Sequence, residues 1–143
     1  MLEENKAVVL GCWESANRKD EAGFDKYYHE NVVLHTTDGE ISGRDKVKEY
    51  LMGFITAMPD LDLQVEDIFG EGDRIFSRAR LRGTNTGQLW GAPPTGRSVD
   101  VGWIMNVARV QDGKIVEEWE VVDQLAIMRQ LGLLETSAVG TAS

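Results

Sequence analysis

Helical segments come first and hairpin-linked strands follow. That order predicts one α+β domain, with a curved, mainly antiparallel sheet packing its concave face on the N-terminal helices. Three observations carry the prediction. Apolar residues recur at helical spacing as far as Pro59. From Leu61 to Asp123 they alternate with polar ones, the period of a half-buried strand. Asp112-Gly113 is a two-residue hairpin signal between two such runs.

Residues 3 to 17 form the first expected helix, with Val9, Trp13 and Ala16 on one stripe and Val8 and Cys12 beside it. Asp20 is placed to cap a second, short helix carrying Phe24, Tyr27 and Tyr28. The β-branched run Val32-Val-Leu-His-Thr36 reads as a strand. Ser42-Gly-Arg-Asp45 fits a capping box. The helix after it gathers Val47, Tyr50, Leu51, Phe54, Ile55 and Met58 on one face, and Pro59 ends it. Leu61, Leu63 and Val65 alternate in the next strand, which turns at Gly70-Glu-Gly-Asp73. Ile75, Ser77, Ala79 and Leu81 then alternate against Phe76, Arg78, Arg80 and Arg82. A Gly/Pro-rich loop runs from Gly87 to Arg97. In the strand Val99–Gln111, one face carries Val99, Val101, Trp103, Met105 and Val107. The last strand ends at Asp123, and a short helix after it stops at Gly132. We expect one domain over residues 1–134 and a flexible tail over 135–143.

The chain has 143 residues and a net charge of -9, which disfavours nucleic acid and anionic membranes as partners. Cys12 is the only cysteine, which excludes an intramolecular disulfide and fits a reducing compartment. The first residues lack a secretory signal, and no apolar run approaches a membrane span, so a cytoplasmic location is expected. Two histidines, His29 and His35, with no metal-ligand spacing make a zinc site improbable. No nucleophile elbow, dinucleotide fingerprint or phosphate loop is present.

Asp123 is the most informative residue. Period two puts it on one strand face with Trp119 and Val121, where an unpaired charge is unfavourable. Two readings stand at even weight: an N-cap for the following helix, and a functional carboxylate. The inward phase would also bring Ser77, Ala79, Gly83, Asn85, Trp103, Met105 and, from the early strand, His35 to one place. Large apolar walls with few polar groups fit a small-molecule pocket, or else a solid core. Arg78, Arg80 and Arg82 take the opposite phase, where Glu118 and Glu120 are expected to pair with them across strands. That outer face, with Phe76, Val116 and Val122, would suit a homodimer interface.

Three segments resemble the SnoaL-like polyketide cyclase family, whose cone-shaped α+β fold is shared with ketosteroid isomerase. They are Arg82-Gly-Thr-Asn-Thr-Gly87 with Gly91-Ala-Pro-Pro-Thr-Gly-Arg97, Gly113-Lys-Ile-Val-Glu-Glu-Trp119 with Asp123, and Gln130-Leu-Gly132. The resemblance implies intramolecular aldol condensation without cofactor or metal, in an apolar pocket. It implies Asp123 as the acid/base. Asn85 stands where the family commonly has histidine, and can hydrogen-bond a substrate oxygen but cannot titrate. His35 is the other titratable candidate, and Trp13, Trp103, Met105, Trp119 and Val121 are the expected walls for a hydrophobic or polycyclic ligand. A non-catalytic binding module and a hydroxylase- or hydrolase-like relative are the other readings.

Overall fold

The computed structural model describes residues 1–134; the expected tail, 135–143, lies outside them. The elements run α1 (Leu2–Asn17), α2 (Glu21–Tyr27), β1 (Tyr28–Thr36), β2 (Gly39–Ser42), α3 (Arg44–Ala57), β3 (Asp62–Glu71), β4 (Arg74–Thr84), β5 (Ser98–Gln111), β6 (Lys114–Val122) and α4 (Gln124–Gln130). The predicted α+β class is the observed one. The short strand β2 was not foreseen; it pairs Val33 with Ser42 and Thr36 with Gly39.

The six strands form one sheet in the order β2-β1-β6-β5-β4-β3. All neighbours are antiparallel except β1 and β6, which run parallel. The inner face carries the core. Phe24, Val32, Leu34, Val47, Met58, Ile75, Ala79, Ala108, Ile115 and Ile127 are fully or almost fully buried between helices and sheet. As expected, Asp20 caps α2, accepting from the Gly23 amide at 3.1 Å. The capping box at Ser42 does not form. Ser42 ends β2, and α3 starts from Gly43 (φ 95°), which has no side chain to cap it. At the tip of the β5–β6 hairpin, Asp112 and Gly113 both have positive φ, as a two-residue turn matching the sheet twist requires.

Three extra residues shape the sheet. Val65 faces Ala79 but Asp67 faces Arg78, so Glu66 is inserted in β3. Leu81 faces Val101 but Ala79 faces Ile104, so β5 carries a bulge at Gly102–Trp103. Arg109 faces Glu117 but Val110 faces Ile115, so β6 carries one at Val116. Each bulge bends its strand and moves the following side chains to the opposite face.

Candidate active site

The bulges decide what faces the helices. In β5 the buried residues are Val99 and Val101 before the bulge and Ile104, Asn106, Ala108 and Val110 after it. In β6 the inward residues after Ile115 are Glu118, Glu120 and Val122. The expected phase is therefore reversed over the centre of both strands. Trp103 (61% exposed), Met105 and Val121 lie on the outer face, and Trp119 with them. Of the five expected wall residues, only Trp13 lines the interior.

The three expected catalytic residues are not brought together. His35 is on the outer face, because Val32 and Leu34 take the buried phase of β1. There it stacks on Trp119 with centroids 5.2 Å apart, and its Nε2 lies 2.7 Å from Glu117. Asn85 is buried but holds the 85–97 loop. Its amide donates to the Gly87 carbonyl at 2.7 Å, and its oxygen accepts from the Thr95 amide at 2.8 Å and hydroxyl at 3.1 Å. Asp123 is the N-cap of α4, accepting from the Ala126 amide at 3.0 Å. None of the three is among the residues that line the interior cavities.

Losing a satisfied buried amide costs about 1–3 kcal/mol. Asn85→Ala is accordingly expected to lower the melting temperature and to expose the 88–97 loop to limited proteolysis. An unchanged cleavage pattern would show that the loop is held by something else.

The cavity lies between α1, α2, α3 and the inner sheet face, in two adjoining spaces of about 50 and 40 Å³. Trp13, Ala16, Leu51, Leu63 and Glu120 border both. Each has room for a few waters, well below the ~300–1,000 Å³ of sites for drug-sized ligands. The walls are apolar apart from one seam across neighbouring strands. Trp13 Nε1 donates to Ser77 Oγ on β4 at 3.0 Å. Ser77 is paired with Asn106 on β5, and Asn106 with Glu120 on β6. Asn106 Nδ2 donates to Glu118 at 2.8 Å and reaches Glu120 at 3.4 Å. Asn106 Oδ1 is buried without a partner among the described residues. Such an orphaned acceptor is a place for a ligand's donor.

Removal from water raises the proton affinity of both carboxylates. For Glu118, burial outweighs hydrogen bonds from Tyr28 and Asn106. For Glu120, burial is joined by repulsion from Glu118, and together they push it up to about 8. The Tyr28 hydroxyl and Cys12 thiol are also pushed up, first by burial, and stay protonated. Cys12 is free and buried. The arginines pair elsewhere: Arg80 binds Asp100 through two bonds of 2.8 and 2.7 Å, and Arg78 meets Asp67 at 3.3 Å. The expected pairing with Glu118 and Glu120 is thus corrected.

Sequence reasoning missed Asn106, Glu118 and Glu120. Gly102 was the available signal, since glycine inside a strand pattern marks a bulge. Nothing comparable marks Val116.

The family model described as SnoaL-like polyketide cyclase matches residues 7–131. AclR, a candidate hydroxylase from Streptomyces galilaeus, is 34% identical with a TM-score of 0.83, over 94% of this chain and 84% of its own. IdmH, a candidate polyketide cyclase from Streptomyces antibioticus, is 28% identical with a TM-score of 0.78, over 90% and 98%. A candidate SnoaL-like polyketide cyclase from Jannaschia sp. CCS1 shares the fold, with a TM-score of 0.84 at 21% identity over 94% and 96% of the two chains. Comparison with curated proteins returns no match.

Proposed function

The chain belongs to the SnoaL-like polyketide cyclase family, and from that premise we propose a cofactor-independent acid/base enzyme acting on a cyclic or polyketide-like carbonyl compound, with Glu120 as the proton carrier. The observation that carries this is the pair Glu118 and Glu120, bridged by Asn106 on the wall of a mainly apolar cavity, where burial and the neighbouring carboxylate push Glu120 up to about 8. A general base works best when its pKa lies near the operating pH. A free glutamate, at about 4.3, is far too weak a base there. Burial and Glu118 supply the difference.

An aldol ring closure needs a proton removed from carbon, a carbon–carbon bond formed, and a proton delivered to the new alkoxide. Ionised Glu120 takes the proton from the carbon between two carbonyls. The resulting enolate carbon attacks the acceptor carbonyl. The protonated Glu120 then returns the proton to the alkoxide, and the site is restored. Asn106 Oδ1 accepts from a substrate hydroxyl and orients it, and Trp13 supplies a flat wall. The ligand is a hydrophobic small molecule, because every other wall of the cavity is apolar.

The aspartate that the family resemblance points to remains a rival acid/base. Asp123→Asn retains most capping ability, and Asp123→Ala loses about 1 kcal/mol of it. We expect Asn to leave both activity and melting temperature near wild type, and Ala to cost stability alone. Loss of activity in the Asn variant with normal folding would move the catalytic role to Asp123. A second reading, a non-catalytic binding module, is favoured by Asp123 being committed to its helix. Against it, a module for apolar ligands has no use for two desolvated carboxylates.

The outer sheet face is proposed as a homodimer interface. Phe69, Phe76, Val107, Trp119 and His35 form one cross-strand row, with Met105 and Val121 beside it and Trp103 nearby. Four of these, Phe69, Trp103, Met105 and Val121, are large apolar side chains at least 41% exposed. Val122 does not belong to this face; it lines the cavity. No helix among the described residues is long and apolar enough to cross a membrane. A cytoplasmic location is proposed on the strength of the lone buried Cys12.

A further inference from the structure

Beside the cavity lies a wider groove of about 460 Å³ between α3, Ile41 of β2 and the 88–90 turn. Tyr50, Phe54 and Trp90 line it with aromatic rings, and Lys46, Glu49 and Gln88 add polar groups. Phe54 alone borders both the groove and the inner space that contains Glu120. Its ring is 9% exposed and meets its neighbours edge-on, Tyr50 at 5.4 Å and Trp90 at 6.1 Å. That side chain stands between a groove with room for a ring compound and a space with room for a few waters.

The groove side of Phe54 meets an exposed turn tip. Trp90 has φ 50°, a region that a bulky side chain rarely adopts. It sits at the tip of a turn closed by the isolated Leu89–Ala92 bridge. The base of that turn is fixed: the Thr86 and Gly87 amides both donate to the Ala57 carbonyl, and Asn85 clamps Gly87 and Thr95. With its side chain 41% exposed at the tip and the base fixed, Trp90 can change rotamer without disturbing the base of the loop.

We propose that Phe54 is the gate and specificity-determining residue of the cavity: a flat, mainly apolar ring compound settles in the Tyr50–Trp90 groove, and Phe54 turns aside to admit its reactive end to Glu120. This rests on the acid/base reading for the identity of the destination, though the passage itself is a separate claim. The width that Phe54 and Trp90 open sets which ring systems enter. Tyr50 stands at the threshold; burial first, then the charges of Glu120 and Asp38, hold its phenol protonated, so it presents a hydrogen-bond donor to an incoming carbonyl.

The passage is tested without knowing the substrate. In a variant with Trp103 and Trp119 replaced by phenylalanine, Trp90 is kept as part of the gate and gives the readily quenched component, while the less accessible component is Trp13 on the cavity wall. Its fluorescence is quenched with acrylamide and with the larger neutral quencher succinimide. Phe54→Ala is expected to raise the acrylamide quenching constant at least threefold and the succinimide constant by a larger factor. Leu63→Ala, which also enlarges the cavity but on the side away from the groove, is expected to leave both unchanged. Equal increases in the two variants, or none in Phe54→Ala, would overturn the gate. If Phe54→Ala fails to fold, Phe54→Leu takes its place, with a smaller rise expected and no rise counting against the proposal. Loss of activity in Glu120→Gln bears only on the chemistry, so the two claims fail separately.

Discussion

Glu120→Gln is expected to lower turnover about 10³-fold, within the 10²–10⁴ that a positioned acid/base supplies, while making the protein harder to unfold above neutral pH. The measurement is deuterium exchange at the α-carbon of a bicyclic ketone such as 2-tetralone, followed by NMR. Wild-type kcat/KM should rise with pH and level off above about 8, as Glu120 becomes carboxylate. The glutamine variant should show no such limb. Stability runs the other way. The folded state holds the Glu120 proton to about 8, whereas an ordinary glutamate gives it up near 4.5. The folded form therefore binds more protons between those values, and stability falls as pH rises through them. The loss is expected to be on the order of a few kcal/mol. Glutamine is neutral throughout, so its melting temperature should exceed wild type by a margin that grows from pH 6 to 9. A variant that is active, or one whose stability advantage does not change with pH, would place the functional proton elsewhere.

Trp103→Glu is expected to convert a dimer to a monomer. Trp103 is 61% exposed and lies near the cross-strand aromatic row on the outer face. Buried tryptophans near the centre of an interface commonly dominate its energy, and a carboxylate in that place would be desolvated without a partner. Weakening by at least 100-fold is expected, which is about 2.7 kcal/mol. Sedimentation equilibrium of both proteins reads it directly, and circular dichroism confirms that the variant is folded. A wild-type chain that is monomeric at tens of micromolar, or a variant that dimerises equally well, would end the proposal.

Local chemistry was legible in the sequence where one residue decides the outcome. Asp20, Asp112-Gly113, Pro59 and Gly132 each mark a boundary that the structure keeps, because capping and φ preference act within a few residues. The β4 phase was also legible: Ile75, Ser77, Ala79 and Leu81 are all buried. The interior was not, since facing is a property of the pairing and not of one strand. A period-two rule carried from Val99 through Trp103 assigns the two largest side chains to the core. One extra residue at Gly102–Trp103 exchanges them for Ile104 and Asn106. The same reversal at Val116 brings Glu118 and Glu120 inside, against the usual preference of glutamate for water. Composition could not anticipate that, because burial of charge is what a functional site requires and what a stable core avoids.

The parallel β1–β6 pairing has a consequence for when this molecule becomes a protein. His35 lies beside Trp119, about 80 residues later in the chain. On the ribosome, β1 with its α1–α2 partners must wait, its edge covered on one side by β2 alone, until nearly all of the sheet has been synthesised. The hairpins of β3 to β6 can zip in order, but the last seam closes against the oldest strand. Folding is therefore expected to be late and cooperative. During that wait the β1 edge beside the proposed catalytic strand is the surface most open to pairing with another nascent chain.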